Sequence, residues 1–180
     1  MQQMTNIIKT RRLFFALWPS YQIRQSIIES FSRLSLRTKG RITSSANLHI
    51  TLHYLGPVTD DIQECMHAAA RSIKSAPFEL QLDRYGYFPR AKVFWLGCRE
   101  NPTELSHLYN QLGVAIEACG YHFEARAYAP HITLMRKCAK PDLNLADFSI
   151  PWRVDDFVLV ESITTASGVH YQVIDKYALS

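Results

Sequence analysis

Residues 47–56 read NLHITLHYLG and contain the tetrapeptide HITL at 49–52, which returns at 131–134 within residues 130–136, PHITLMR. Apolar and polar residues alternate in both stretches, a pattern typical of a β-strand with one buried face. Alternate side chains of a strand share a face. The histidine and threonine of each copy are therefore expected to point to one side, and the isoleucine and leucine to point into a core. The repeat predicts two equivalent strands that each present an imidazole and a hydroxyl.

The surroundings of the two HITL copies are repeated as well. An apolar stretch, RLFFALW at 12–18, precedes the first copy, KVFWLG at 92–97 precedes the second, and a helical pattern follows each stretch. Phe14 and Phe94 lie 80 residues apart, and the two histidines lie 131 − 49 = 82 residues apart. A shared period predicts two lobes of related architecture. The expected fold class is α+β: two pseudo-symmetric lobes, each a mainly antiparallel sheet with helices packed outside, facing each other across a central cleft.

The rest of the chain predicts the helices and hairpins that complete these lobes. Three helices are expected from capping residues and helical spacing: Ser20 to about Leu34, Asp60 or Asp61 to Ile73, and Pro102 to Cys119 with Gly120 as its stop. The expected strands are Arg12–Trp18, Leu48–Leu55, a hairpin of Phe78–Phe88 and Lys92–Cys98, Ala129–Arg136, and a closing hairpin of Val154–Thr165 and Val169–Leu179 turning near Ser167-Gly168. We expect one bilobal domain over residues 1–180, with 1–10 as a flexible arm and a loop over about 139–151.

Composition excludes several classes of protein. The hydrophobic fraction is 47% and the charged fraction 20%, as in ordinary globular proteins, and the formal net charge is +4. No apolar run approaches the roughly 20 residues of a membrane span, and residues 1–13 lack the pattern of a secretory signal. A cytoplasmic monomer is the default expectation. The chain has no phosphate-binding Walker loop and no G-x-G-x-x-G after a strand, so no cofactor is expected.

The four cysteines, Cys65, Cys98, Cys119 and Cys138, have no C-x-x-C spacing. That spacing is typical of zinc and redox sites. In a cytoplasmic protein the four residues are expected to be free thiols in core or half-buried positions.

The paired His-x-Thr motifs suit chemistry at a cyclic phosphodiester. One imidazole can take a proton from water while the other protonates the departing ribose oxygen, and histidine suits both tasks because its ordinary pKa is about 6.5. The hydroxyls of Thr51 and Thr133 can donate to the non-bridging phosphate oxygens. Arg136 is the candidate for a cation beside the phosphate, although strict strand alternation would turn it away from His131. The chemistry alone does not say whether His49 or His131 is the acid.

With these motifs the chain resembles the 2H phosphoesterases, whose signature is two His-x-Thr/Ser-x motifs. Within them it is similar to the bacterial and archaeal RNA 2′,3′-cyclic phosphodiesterases, historically called 2′-5′ RNA ligases. The resemblance runs through RLFFALW, NLHITLHYLG, KVFWLG and PHITLMR in that order and covers nearly the whole chain. It implies a bilobal fold with a central cleft, and metal-independent hydrolysis of RNA 2′,3′-cyclic phosphate ends to 2′-phosphates.

The resemblance also orders the roles of the site residues. It implies that His49 is the proton donor to the leaving 3′ oxygen and that His131 is the proton acceptor that activates water. The arginine that follows the second motif in the family matches Arg136, expected near the phosphate or stacked on a base. The implied partner is an RNA or oligonucleotide that ends in a 2′,3′-cyclic phosphate, and no metal is implied.

Other functions remain open on the sequence. The same motifs would serve hydrolysis of ADP-ribose 1″,2″-cyclic phosphate or of linear 2′-5′ linkages. A ligase would run the reverse reaction and join a 5′-hydroxyl to the cyclic phosphate. In water at 55 M, hydrolysis is expected to prevail over this ligation unless a second strand is held in place. A non-catalytic RNA-binding module is less consistent with two intact histidines and two intact threonines.

Further residues carry weaker expectations. His53 lies on the motif strand and could extend the cleft, but its counterpart is Met135, so a peripheral role or solvent exposure is expected. The other histidines, His67, His107, His122 and His170, are expected at the surface or at helix caps. Five aromatic residues flank the motif strands and are expected mainly in the core, with one or two able to stack on a base: Phe14, Phe15, Tyr54, Trp95 and Tyr128. Backbone-phosphate contacts and an ordinary solvated surface explain three further cations equally well: Arg41, Arg126 and Lys137.

Overall fold

A computed structural model describes residues 9–34, 36, 38–122, 127–142, 147–166 and 168–180. In chain order its elements are β1 (Arg11–Leu17), α1 (Tyr21–Ser32), β2 (Arg41–Ile42), a 3₁₀ turn (Ser45–Asn47), β3 (Ile50–Val58), α2 (Asp60–Arg71), β4 (Phe78–Leu82), β5 (Arg84–Phe88), β6 (Val93–Gly97), α3 (Thr103–Glu117), β7 (Ile132–Arg136), β8 (Ile150–Val154), β9 (Asp156–Thr165) and β10 (Gly168–Ala178). Most of the expected flexible arm, and Ser167 of the closing turn, lie outside the described residues.

The strands form one eight-stranded sheet and one two-stranded sheet. The larger sheet has the order β10-β9-β1-β3-β7-β6-β5, with β2 beside β7, and β4 pairs with β8 in the smaller one. The two motif strands, β3 and β7, are antiparallel neighbours in the centre, paired at Ile50 and Ile132. The expected α+β fold of two related lobes is confirmed. The lobes are the two halves of one sheet, joined at the strands that carry the HITL copies.

The sequence suggested that Phe14 and Phe94 are equivalent residues of the two lobes, and the structure shifts this correspondence by one residue. The strand before each motif strand pairs with it in the same way: Ala16↔Thr51 in the first lobe and Trp95↔Thr133 in the second. Equivalent residues of β1 and β6 are therefore 95 − 16 = 79 apart. Phe94 corresponds to Phe15, and both are fully buried in the main core. Phe14 lies on the other face of the sheet because one residue along a strand reverses the direction of the side chain.

The helices begin and end close to the expected residues. Ser20 caps α1, where its hydroxyl accepts a hydrogen bond from the Ile23 amide at 3.3 Å. The second helix starts at Asp60, so two carboxylates lie in its first turn, where the helix dipole favours negative charge. Gly120 follows α3 with φ +81°, a conformation that glycine adopts without strain. Among the described residues, no helix is long and apolar enough to cross a membrane.

The segment 78–88 differs from the single strand expected there. It divides at Asp83, whose carboxylate accepts a hydrogen bond from the Arg99 amide at 2.8 Å. The first part, β4, leaves the main sheet and pairs with β8, while β5 forms the expected hairpin with β6. The start of β8 lies in the region expected to be a loop. Its sequence, IPWRV, contains a proline, which is confined to edge strands because it cannot donate to a ladder.

The expectation of four free cysteines is wrong for one pair. Cys65 in α2 and Cys119 after α3 form a disulfide, with their Cα atoms 5.7 Å apart. The two residues are 54 apart in the chain and meet because α2 packs against α3, a contact that no local spacing reveals. Cys98 and Cys138 are free and buried, as expected.

Candidate active site

His49 lies between the 3₁₀ turn and β3, and its ring is held at both nitrogens. Its Nδ1–H donates to the Asn47 carbonyl at 2.7 Å, which fixes the proton on Nδ1 because a carbonyl oxygen only accepts. The neutral Nε2 therefore accepts the hydrogen bond of the Thr51 hydroxyl at 3.0 Å. The expected proximity of the first motif's imidazole and hydroxyl is present, and Nε2 is the nitrogen available for proton transfer.

His131 immediately precedes β7 and has the same backbone anchor. Its Nδ1–H donates to the Ala129 carbonyl at 2.8 Å, again two residues earlier in the chain. The same tautomer is therefore fixed in both motifs, and Nε2 is the nitrogen available for proton transfer in His131 as well.

The pairing of the two motif strands brings the histidines to one place. Ile50 lies opposite Ile132 in an antiparallel pair. When that register is extended by one residue, Thr51 comes beside His131, because antiparallel partners run in opposite directions. The proximity has an electrostatic effect, since the charge of His131 contributes to the lowered pKa of His49.

An aromatic cage surrounds His49. The Trp18 ring stacks on the imidazole with 5.5 Å between centroids, and the Phe14 and Tyr171 rings lie 5.0 Å and 5.2 Å away. Burial lowers the pKa of His49 to about 4, and the hydrogen bond to Asn47 opposes this shift only in part. The imidazole is therefore neutral in the unliganded protein at neutral pH.

His131 has a looser aromatic surround in the second lobe. Phe88 presents its edge to the imidazole at 4.9 Å, and the Trp95 ring is 6.4 Å away. Burial lowers the pKa of His131, the hydrogen bond to Ala129 raises it, and the nearby positive charge of Arg136 lowers it further. The pKa of each imidazole is thus lowered from the ordinary histidine value.

A β-bulge turns Arg136 toward the site. Phe94 pairs with Met135 and Trp95 pairs with Thr133, so Leu134 has no partner of its own on β6. The extra residue reverses the direction of the side chains that follow it. Arg136 therefore points to the side of the sheet from which strict alternation would have turned it away. The Arg136 guanidinium consequently lies 3.5 Å from the Thr133 hydroxyl, on the same side of the sheet as that threonine.

The equivalent bulge in β3 turns His53 away from the site. Leu52 has no partner on β1 because Phe15 pairs with His53 and Ala16 pairs with Thr51. His53 is therefore buried on the helical side, where its ring stacks on Tyr109 at 4.3 Å and bonds to the Tyr109 carbonyl at 2.8 Å. The expected solvent exposure of His53 is wrong.

Of the aromatic residues flagged in the sequence, two contact the motif histidines. Phe14 adjoins His49 and Trp95 adjoins His131, whereas Phe15 belongs to the core. The other two are positioned by hydrogen bonds: the Tyr54 hydroxyl accepts from Arg12 at 3.2 Å, and the Tyr128 hydroxyl donates to the Thr51 carbonyl at 3.1 Å. Sequence reasoning missed three rings beside the histidines: Trp18, Phe88 and Tyr171. Trp18 directly follows β1 and Phe88 ends β5, while Tyr171 comes from a distant hairpin and has no local signal.

The remaining histidines are exposed except for His67. His107, His122 and His170 are exposed, as expected. His67 is buried instead, and its Nδ1 lies 2.6 Å from the Tyr177 hydroxyl, because α2 packs that residue against β10. Arg41 and Lys137 are exposed near Arg136, and Arg126 lies outside the described residues.

The absence of a side chain at Gly86 makes room for the Trp95 ring near His131. A Cβ atom at Gly86 would come within 2.1 Å of the Trp95 ring, and the Arg84 guanidinium covers that ring at 5.8 Å. We expect Gly86→Ala to lower the free energy of unfolding by about 1–3 kcal/mol, because overpacking forces the ring out of its position. Denaturant unfolding measures the loss. Trp95→Leu removes the clashing ring, so the double variant should regain stability relative to Gly86→Ala, and a loss that persists would contradict the clash.

Comparisons with known proteins agree with this architecture. Residues 20–165 match the model of the 2′-5′ RNA ligase superfamily. The chain is 31% identical to the RNA 2′,3′-cyclic phosphodiesterase of Escherichia coli strain K12, over 94% of this chain and 97% of that protein. It superimposes on the crystal structure of E. coli LigT complexed with 3′-AMP with a TM-score of 0.87 and 30% identity, covering 96% of this chain and 99% of that chain. The crystal structure of TT0787 of Thermus thermophilus matches with a TM-score of 0.78 and 26% identity, over 93% and 97% of the two chains. From the matched residues, the fold and the paired motifs, the chain belongs to the 2′-5′ RNA ligase superfamily and is an enzyme of the 2H phosphoesterase type.

Proposed function

We propose that this enzyme hydrolyses RNA 2′,3′-cyclic phosphate ends to 2′-phosphates without a metal ion. The observation that carries the proposal is the matched state of the two imidazoles. Each one binds a backbone carbonyl through Nδ1 and has Nε2 available, and the two lie on neighbouring strands. Opposed nitrogens of this kind suit a reaction in which one proton is taken up while another is delivered. The relatives that are named RNA 2′,3′-cyclic phosphodiesterase support a cyclic phosphate on RNA as the substrate.

In the proposed mechanism, Nε2 of His131 accepts a proton from water as the water oxygen attacks phosphorus. The bond from phosphorus to the ribose 3′ oxygen breaks, and Nε2–H of His49 donates its proton to that oxygen. The product carries a 2′-phosphate and a free 3′-hydroxyl, and each histidine ends in the protonation state of the other. The structure gives both imidazoles the same backbone anchor and so does not distinguish the proton donor from the proton acceptor. The order of the two roles is therefore taken from the family resemblance.

Thr51, Thr133 and Arg136 are the proposed phosphate-binding groups. The Thr51 hydroxyl is held beside the His49 imidazole, and the Arg136 guanidinium lies next to the Thr133 hydroxyl. Hydroxyl donors and a guanidinium aimed at the non-bridging oxygens stabilise the charge that builds up as water attacks. This set of donors provides charge stabilisation from the protein itself, and so we propose that no metal or cofactor is needed.

The test is incubation of a short RNA ending in a 2′,3′-cyclic phosphate with the protein and excess EDTA, with chromatographic separation of 2′- and 3′-phosphate products. We expect conversion to the 2′-phosphate alone. A 3′-phosphate product would reverse the proposed leaving group, and activity that EDTA abolishes would contradict metal independence. A 5′-hydroxyl oligonucleotide in a parallel reaction detects ligation as the competing outcome.

We also propose that the protein acts as a monomer in the cytoplasm, where its RNA substrate would be found. Disulfides are rare in reducing compartments, so Cys65 and Cys119 would be a closely spaced dithiol there. Size-exclusion chromatography with and without a reductant tests the oligomeric state: a single monomeric species is expected in each case, and a stable dimer would contradict the proposed monomer.

A further inference from the structure

Positive charge is concentrated in three short segments of the chain. Residues 37–43, 89–93 and 134–140 contain eight of the 20 lysines and arginines and none of the 16 acidic residues. The cations in these segments are Arg37, Lys39, Arg41, Arg90, Lys92, Arg136, Lys137 and Lys140. Segments so distant in sequence would share a function only if the fold brings them together.

The sheet joins the three segments side by side. Arg136 at the end of β7 lies opposite Arg41 of β2 on one side and opposite Val93 of β6 on the other. Beyond the strands, the Cys138 amide donates to the Lys92 carbonyl at 3.3 Å, and the Ala139 amide donates to the Thr38 hydroxyl at 3.1 Å. We refer to the described cations of these segments, Lys39, Arg41, Arg90, Lys92, Arg136, Lys137 and Lys140, as the basic edge.

The basic edge has no internal counter-charge in the described part of the chain. The ion pairs among the described residues involve cations outside the basic edge: Arg11, His67, Arg71, Arg99, Arg153 and Lys176. Arg41 and Arg136 even lie directly opposite each other on adjacent strands, an arrangement that is destabilising for like charges. An external anion between them would remove that repulsion.

The basic edge begins at the catalytic groups. Arg136 lies beside the Thr133 hydroxyl, and directly opposed residues on adjacent strands point to the same side of the sheet. Arg41 is therefore on the side that carries the motif residues, one strand further out. Two lysines beyond it, Lys92 and Lys137, have left-handed backbone conformations with φ of 52° and 55°, and such conformations cluster at functional sites.

We propose that the basic edge binds the backbone phosphates of the RNA strand that precede the cyclic end. The inference rests on the proposed function and adds a second binding region to it: the cyclic phosphate is bound at Thr51, Thr133 and Arg136, and the next phosphates are bound by Arg41 and Lys92. The enzyme would then act better on an oligonucleotide than on a single cyclic nucleotide, because only the longer substrate reaches the additional cations.

The experiment compares adenosine 2′,3′-cyclic phosphate with a tetranucleotide that has the same cyclic end. Arg41→Gln, Lys92→Gln and the double variant are measured on both, and Lys74→Gln serves as a control because it removes one exposed charge outside the three segments. We expect the double variant to lose about 10-fold in kcat/KM on the tetranucleotide and less than about two-fold on the mononucleotide. The slope of log affinity against log salt should fall by about 0.7 for each cation removed.

Salt-dependent binding of a tetranucleotide ending in a 3′-phosphate is measured in parallel by fluorescence anisotropy, and this readout needs no turnover. An unchanged salt slope in the double variant would overturn the basic edge as an RNA site. Equal losses on both substrates would overturn it as well, since the cations would then act on the reacting phosphate. Failure of the unaltered enzyme to hydrolyse either substrate rejects the proposed function, and the anisotropy slope still decides the basic edge.

Discussion

His49→Ala and His131→Ala are each expected to lower kcat/KM on an RNA cyclic phosphate by at least about 100-fold, the usual size of a positioned acid or base. The loss should be large for both because each Nε2 is the available nitrogen of a ring fixed by a backbone carbonyl. Initial rates at saturating and limiting substrate measure it. The double variant should lose much less than the product of the single losses, because the two groups act as a unit.

The controls separate chemistry from folding. His107→Ala and His122→Ala remove exposed imidazoles and should leave turnover unchanged. His53→Ala removes a buried ring that stacks on Tyr109 and should lower the free energy of unfolding. A variant of His49 or His131 that is folded and retains near-normal turnover would remove that residue from the mechanism.

The order of the two roles needs a different substrate. When sulfur replaces the 3′ oxygen, the leaving group departs with little help from an acid, because a thiol has a pKa of about 8.5. His49→Ala should therefore recover most of its activity on the sulfur substrate, whereas His131→Ala should not. Recovery in His131→Ala alone would show that the roles are exchanged.

The sequence predicts the face of the site well because a strand has a side-chain period of two. In each copy the histidine and threonine share one face while Ile50 and Ile132 are buried on the other, as alternation requires. The repeat itself predicts two related strands, and the structure places them next to each other. Helix starts were predictable for the same kind of reason, since a capping residue such as Ser20 acts through local hydrogen bonds.

Alternation stops predicting directions after the leucine of each motif. Leu52 and Leu134 are bulged at equivalent places, so His53 turns into the core and Arg136 turns into the site. A bulge depends on the register in which two strands pair, and the sequence of one strand alone does not determine that register. The ring of Tyr171 beside His49 and the Cys65–Cys119 disulfide are long-range contacts of the same kind, decided by packing between elements.

The pH dependence of kcat/KM should show one proton shared by the histidine pair. Productive enzyme has one imidazole protonated and the other neutral, and kcat/KM reports the ionisation of the free enzyme. Burial lowers the pKa of His49 to about 4 and also lowers the pKa of His131 below its ordinary value. At neutral pH both rings are then largely neutral, and the productive form is a minority.

Because both pKa values are lowered, kcat/KM should be highest in the acidic range, between about pH 4 and 6.5. Above that range it should fall by up to about 10-fold per pH unit, so that up to about 30-fold separates pH 6.5 from pH 8. Below it, the rate falls again as the second imidazole gains a proton. A profile that stays flat from pH 6 to pH 8 would contradict the lowered pKa values.

A variant of the aromatic cage tests the physical cause of the pH dependence. Trp18→Gln removes the ring that stacks on His49 and admits water, so the desolvation that lowers the pKa of His49 becomes smaller. The acidic limb of the profile, which follows the lower of the two pKa values, should then move to higher pH, while removal of an exposed charge such as Lys74→Gln should leave it in place. The pH profile is the same whichever histidine donates the proton, so it tests only whether the pair shares one proton. The order of the roles is tested by the sulfur substrate. An acidic limb that does not move in Trp18→Gln would mean that burial of His49 does not set the lower end of the pH range of the enzyme.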